Sequence, residues 1–314
     1  MVQASGRARG TPAAEAGDAG RLGLRDGRIG VVHHRVRPAV VGLPTMTSVS
    51  TAELLARFDA QMRRDLPPPS PAWRAERDGR VVRWVSPPEL PWGCGVQWSD
   101  LDEDTADGAI AEQMSYFARL ARRFEWKTFG HDRPADLEAR LRAAGLEAGD
   151  EEALLIGAVD EVAVTTAGAA PPPGITVRCL DGGEPLDGIA ALQSAVWGGD
   201  WGWLVAELRQ ERGADPGALS IHVAEAEGRV VCAAWARFHR GTEFASLWGG
   251  STLEAWRRRG IYRSLVARRA AQARERGLRY LQVDASADSR PILERMGLRV
   301  VSTTRPFVWS PPSP

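Results

Sequence analysis

Residues 248–277 read WGGSTLEAWRRRGIYRSLVARRAAQARERG, and this stretch decides the fold. An apolar strand ends near Leu253, a loop carries Arg257-Arg258-Arg259-Gly260, and a helix follows in which Ile261, Leu265, Val266 and Ala270 recur at helical spacing. A helix start leaves backbone N–H groups without partners, and its dipole adds positive potential, so a glycine-bearing loop there is a seat for phosphate oxygens. The dipole contributes only roughly 0.3 to 1 kcal/mol at an exposed site. Three arginines beside the same helix end therefore point to a polyanion such as a diphosphate rather than to a single carboxylate.

A strand over 279–285, a short helix over 289–296, Gly297-Leu298 and a last strand toward Trp309 follow. Together with the loop, this order over residues 175–309 resembles the GNAT superfamily of N-acetyltransferases. In that family an Arg/Gln-x-x-Gly-x-Gly/Ala loop after the fourth strand wraps the pyrophosphate of acetyl-coenzyme A with backbone amides. Arg257, Gly260 and Tyr262 fall on those positions, Tyr262 replacing a small residue. The resemblance implies acetyl-CoA as co-substrate, with contacts from Ser251, Thr252 and Leu253, from the loop and helix start (Arg257, Arg258, Arg259, Gly260, Ile261, Tyr262 and Arg263), and from Ser286. It also implies that strands four and five splay apart for the pantetheine arm.

The family's acid and base do not carry over. Ser246 stands where some relatives have a strand-four glutamate, Leu293 where a tyrosine often protonates the leaving thiolate, and Ser286 where an asparagine often follows strand five. Asp284, Glu243 and Tyr262 remain weak catalytic candidates, each more readily read as structural.

At 314 residues, and about 100 to 200 residues per domain, the chain should hold two domains. Forty Lys+Arg balance 40 Asp+Glu, so no global field draws the protein to nucleic acid or to anionic lipid. Three cysteines and five scattered histidines lack metal-ligand spacing; no metal is expected, Cys179 and Cys232 read as core residues, and a reducing cytoplasm suits the composition. No apolar run has the length of a membrane span or the pattern of a signal peptide.

Residues 1–46, rich in Gly, Ala and Arg without a sustained period, read as a disordered tail, and Met46 reads as a possible natural first residue. Residues 47–166 read as a first domain. It has a helix over 51–65, two β-type runs around Asp78-Gly79 and a strand over 95–99, then a helix over 106–123, a strand over 125–130, a helix over 134–144 and a strand over 153–159. Shifted by 152 positions, this half matches the second: Ser99 meets Ser251, Leu101 Leu253, Gly108 Gly260, Asp132 Asp284, Leu141 Leu293, and Gly145-Leu146 meets Gly297-Leu298. The expected fold is thus a mixed α/β tandem of two GNAT-like domains, each a mostly antiparallel sheet flanked by helices. The first copy has an acidic loop, residues 100–107, where the second is basic, and is expected to bind no coenzyme.

Residues 167–174, AGAAPPPG, form a stiff linker to the second domain, 175–314. There a strand over 175–178 and a helix over 185–196 precede Trp197, Trp201 and Trp203, which would wall the acceptor pocket or pack the first helices onto the sheet. A hairpin over 221–238 and a strand over 243–253 follow. The expected function is transfer of an acetyl group to a small-molecule or peptide amine by a monomer or homodimer. The alternative is a non-catalytic acyl-CoA-binding sensor or scaffold. A third reading, in which Arg257 to Arg259 with Arg263, Arg268 and Arg269 form a nucleic-acid face, is disfavoured by interspersed glutamates.

Overall fold

The computed structural model describes residues 49–69, 72–90, 93–180 and 182–311; the expected tail and the start at Met46 lie outside them. Helix α1 (Thr51–Phe58) opens on a capping box, in which Ser50 Oγ accepts from Glu53 N at 3.2 Å and the Glu53 carboxylate accepts from Ser50 N at 2.9 Å. The helix expected to reach residue 65 continues past Phe58 as a π-helical stretch, Asp59–Arg64, before the prolines. Strands β1 (Arg74–Asp78) and β2 (Val81–Val85) form a hairpin, followed by β3 (Gly95–Ser99), α2 (Ala106–Arg119), β4 (Phe124–Phe129), α3 (Leu137–Ala143), β5 (Glu147–Ala148) and β6 (Glu152–Ala158). A helix the sequence reading left out, α4 (Val159–Thr165), then leads into the linker.

The second half runs β7 (Thr176–Leu180), α5 (Asp187–Trp197), α6 (Gly202–Ala214), β8 (Leu219–Ala226), β9 (Arg229–Phe238) and β10 (Phe244–Thr252). It ends with α7 (Ile261–Glu275), β11 (Tyr280–Ala285), α8 (Arg290–Glu294) and β12 (Arg299–Trp309). The fold is the mixed α/β architecture expected, with strands from both halves joined in one sheet of order β1-β2-β3-β4-β12-β6-β11-β10-β9-β8-β7.

That order shows an exchange. In a simple tandem each closing strand would lie beside its own half's preceding strand. Instead β6 pairs with β11, from Tyr280↔Ala158 to Ala285↔Ala153, and β12 pairs with β4, from Thr304↔Phe129 to Trp309↔Phe124. Each half's closing strand completes the other's sheet, and β6 and β12 also pair with one another at the centre.

Side-chain alternation sorts the sheet into two faces. Leu281, Val283 and Ala285 of β11, with Ala245 and Leu247 of β10, pack in one core with Val266 and Ala270 of α7. On the same side α2 and α3 cover Phe124 and Trp126 of β4. The opposite face carries α5 and α6 over Ile221, Val223 and Trp235, and α1 over Phe129, Leu154, Phe244 and Tyr280.

From β1 to β6 and from β8 to β12 the two halves share one order of strands and helices, β5 aside, but the fixed shift of 152 residues fails in the middle. Leu141 and Leu293 are both buried in the short helices, and Gly145 and Gly297 both take positive φ, +91° and +96°. Gly108, however, lies inside α2, whereas Gly260 precedes α7, because the loop into α7 spans 253–260 against 100–105 in the first half. Asp132 likewise follows β4, while Asp284 lies within β11.

Candidate active site

Gly260 caps α7 with φ +80°, and Arg258 is also left-handed at φ +60°, so the loop curls tightly over the helix end. The first donor bonded within the helix is Ser264, whose N–H reaches Gly260 O at 3.1 Å. Ahead of it, the amides of Arg258 through Arg263 donate to no other group of the described chain. Arg257 Nε donates to Thr252 O at 3.1 Å, and the Arg259 guanidinium lies 4.8 Å over the Trp256 ring. Arg263 reaches across to Thr165 O at the end of α4. Ile261 is buried and anchors the first turn. Tyr262 turns toward the sheet, where its ring packs so closely on Gly250 that a Cβ there would lie 2.5 Å from Tyr262 Cε2. The large residue in the small-residue position is thus accommodated on the β10 side.

Beside this helix end two strands part. The parallel pairing of β10 with β11 runs only from Phe244↔Tyr280 to Ser246↔Gln282, although both strands continue. Against β9, β10 bulges between Trp248↔Trp235 and Ser251↔Ala233. Gly249 makes the bulge possible: its φ is +66°, and a Cβ would fall 1.8 Å from the Trp235 ring. Arg269, fully buried on α7, donates to Leu265 O at 3.1 Å and to Trp235 O at 3.2 Å, with Trp248 O at 3.5 Å. Burial lowers its pKa, against the pull of Tyr262. This placement removes Arg269 from the proposed nucleic-acid face.

Ser251 is buried and donates to Gln193 Oε1 at 2.9 Å while accepting Trp197 Nε1 at 2.9 Å. Thr252 Oγ1 contacts Cys232 Sγ at 3.1 Å, and Leu253 N donates to Val231 O at 3.0 Å. Ser286 lies past β11, where its Oγ accepts Ser289 N at 3.4 Å before α8. Trp201 donates to Gly198 O at 2.7 Å and stands 5.4 Å from Trp203.

On the sheet face opposite α7, where the strands divide, lies a cavity of about 330 Å³ lined by both halves. None of the three tryptophans expected to wall the acceptor lines it; Trp73, Trp84 and Trp248 do. At the division, Ser246 Oγ accepts Trp248 Nε1 at 2.6 Å and lies 2.8 Å from His239 Nε2. Burial and Arg237 push His239 down to about 4, so it is neutral at pH 7.

Two charged clusters flank this point. On the C-terminal side Arg237 of β9 binds Glu211 of α6 through two contacts of 2.8 Å, reaches Glu207 at 3.3 Å, and lies 4.7 Å over the Trp248 ring. Glu207 Oε2 and Arg237 Nη1 are buried without a hydrogen-bond partner. Burial, with Glu211 adding and Arg237 subtracting, pushes Glu207 up to about 7. On the other side Asp284 accepts Lys127 Nζ at 2.5 Å and Gln282 Nε2 at 3.1 Å. Nearby Glu152 is pushed up to about 7 by burial, Lys127 opposing and Asp284 and Glu125 reinforcing.

Of the three catalytic candidates, only Asp284 lines the cavity. Glu243 sits at the far end of β10, bound by Arg57 at 3.0 Å, Gln61 at 2.9 Å and Arg279 at 2.7 Å. Burial would raise its pKa, but these hydrogen bonds hold it below the ordinary value. The sequence reading missed Glu207, Arg237, His239 and Lys127. A signal existed for two of them: Glu207 and Glu211 recur four apart beside Leu204 and Leu208, and Arg237 interrupts an apolar strand. Among the described residues no group of His, Cys, Asp and Glu has the arrangement of a metal site, and no helix is long and apolar enough to cross a membrane.

Residues 186–298 match the profile of the Acetyltransferase (GNAT) family, a span that includes the α7 loop and the divided strands but neither β4 nor β12. Among solved structures, the chain is similar to a GCN5-related N-acetyltransferase from Kribbella flavida, at 17% identity and a TM-score of 0.58 over 84% of this chain and 95% of that one. A functionally unknown conserved protein from Staphylococcus epidermidis aligns at 11% identity with a TM-score of 0.60, over 85% of this chain and 100% of the other. A tandem GNAT protein from the clavulanic acid biosynthesis pathway aligns at 12% identity with a TM-score of 0.55, over 78% and 86%. At these identities the likeness is one of fold. No curated protein sequence matches the chain. Residues 186–298 thus carry the match to the GNAT acetyltransferase family, and the larger chain is similar in fold to the solved structures named.

Proposed function

We propose that the protein transfers the acetyl group of acetyl-CoA to a primary amine, with the coenzyme held by the C-terminal half. The observation that carries this reading is the row of unbonded amides from Arg258 to Arg263 at the opening of α7, beside the point where β10 leaves β11. Those amides, with Arg257 and Arg259, suit the diphosphate. The β10 edge freed beyond Ser246, running through Ser251, Thr252 and Leu253, suits the amides of the pantetheine arm. Ser286 stands across the gap from it.

The loop before α2 is instead bonded to itself. Asp102 Oδ1 accepts Thr105 N at 3.0 Å and Thr105 Oγ1 at 2.6 Å, Asp102 O accepts Ala106 N at 3.1 Å, and Arg80 pairs with Asp102 at 2.6 Å. This acidic loop, closed on itself ahead of the helix, sets negative charge where a diphosphate would lie and does not suit a second coenzyme. The N-terminal half instead supplies part of the cavity wall.

The coenzyme supplies an acyl thioester, and the chain's residues do the rest. A lysine-like ammonium costs roughly 4.6 kcal/mol to deprotonate at pH 7, so a carboxylate or water in the cavity must take its proton. A backbone N–H on the freed β10 edge stabilises the carbonyl oxygen as charge gathers on it. Thiol release from acetyl-CoA with an amine panel, alongside calorimetry with coenzyme A, tests the reading. Folded protein that binds no coenzyme refutes it, and binding without turnover on any amine favours the sensor alternative.

A further inference from the structure

Resting on that reading, we propose that the acceptor is a small amine with a flat or apolar body, seated between the halves, and that Glu207 receives its ammonium and carries off its proton. Of the lining residues, Arg63, bound by Asp132 and Asp59, and Asp215, bound by Arg240, carry opposite charges and are each already paired. What remains is four carboxylates, Glu125, Glu207, Glu211 and Asp284, against two cations, Lys127 and Arg237. Arg237 is the cation shared by Glu207 and Glu211, and it favours Glu211. Glu207, 5% exposed, keeps one oxygen without a partner. A buried carboxylate in that condition calls for a proton or a cation. Trp73, Trp84 and Trp248, with Val96 and Leu219, supply a largely aromatic and apolar wall for the body of the ligand.

The groups facing Glu207 are few. Glu211 stands one turn along α6 and Arg237 on β9, His239 just past that strand is neutral, and Lys127, Glu125 and Asp284 also line the cavity. A carboxyl that titrates near neutrality is matched to general-base work at physiological pH. In the transfer, one N–H bond of the ammonium breaks toward the Glu207 carboxylate, and the freed lone pair forms the C–N bond to the thioester carbon. The C–S bond breaks with its electrons on sulfur, a second nitrogen proton passes to sulfur to give the thiol, and Glu207 returns its proton to water.

The full chain is assayed for thiol release from acetyl-CoA with 2-phenylethylamine, hexylamine and ethanolamine, while calorimetry follows coenzyme A. The expected result is that kcat/KM for 2-phenylethylamine and hexylamine exceeds that for ethanolamine by about tenfold or more, with an acid limb near pH 7. Glu207→Gln should lower kcat/KM by about 100-fold and flatten that limb, with coenzyme affinity unchanged. Should the variant not fold, 2-phenylethylamine binding to the wild-type coenzyme complex should tighten about tenfold from pH 6 to pH 8. Equal use of ethanolamine, a variant within twofold of wild type, a pH-independent affinity, or no turnover of any of the three amines overturns the proposal while leaving the coenzyme site standing. Loss of coenzyme binding in the wild type overturns both readings.

Discussion

Lys127 of β4 and Asp284 of β11 meet at 2.5 Å although β12 and β6 lie between their strands in the sheet. The sheet must curl to bring them together, and the pair closes one side of the cavity across the two halves. Burial opposes the charge on Lys127, but Asp284 and Glu125 outweigh it and raise its pKa, so the lysine stays charged. Asp284 is 7% exposed, with Gln282 as its other hydrogen-bond partner.

Lys127→Met should therefore destabilise the protein by roughly 3 kcal/mol, because it strands a buried carboxylate. Lys127→Met with Asp284→Asn should recover much of the loss. Urea midpoints at pH 8 measure both, and a single variant as stable as wild type would show that the pair does not join the halves.

Glu152 gives a pH signature. Its folded pKa of about 7 exceeds the ordinary 4.5, so the folded form holds a proton that the unfolded chain has released between those values. Its contribution is most favourable below about pH 4.5, declines as pH rises through 7, and is flat beyond. Glu152→Gln should remove that decline and gain on the order of 1–3 kcal/mol at pH 8, read as a urea-midpoint difference between pH 5 and pH 8.

Gly249→Ala should cost roughly 2–4 kcal/mol, since the new methyl meets the Trp235 ring at a positive φ. Coenzyme affinity should fall with it, because the bulge sets where β10 leaves β11. Thermal melts and calorimetry on the same sample separate the two effects.

Gly260→Asp should weaken coenzyme binding by about 100-fold, through strain at φ +80° and a carboxylate in the anion seat. Gly108→Asp should leave affinity unchanged, since Gly108 lies within α2 with open space around its Cβ position. Calorimetry decides, and equal damage from both refutes the asymmetry of the halves.

The loop and helix start proposed to hold the coenzyme were legible as structure because their signals are local. Glycine at the α7 opening, the arginines beside it and the spacing of Ile261, Leu265 and Val266 all lie within a few residues of one another. The strand exchange was not legible, since Leu154 and Ile156 of β6 alternate in the same way whichever strand they neighbour. Helix α4 was missed because its seven residues, VDEVAVT, are rich in β-branched side chains, and packing against α7 overrides that preference. Glu207 and Glu211 drew no notice in the sequence, because Arg237, which draws them inward, lies beyond an intervening strand. The residue-by-residue repeat led from Gly260 to the wrong glycine, since a longer loop shifts one half against the other.

The interleaved closing strands have a consequence for synthesis on the ribosome. Phe129 of β4 waits for Thr304 of β12, and at about 5–20 residues per second that interval lasts roughly 10 to 35 s. Throughout it the nascent first half presents an uncovered strand edge, the feature by which chains stick to one another. Protection of that edge during translation, more than the stability of the finished molecule, should set the yield of active protein.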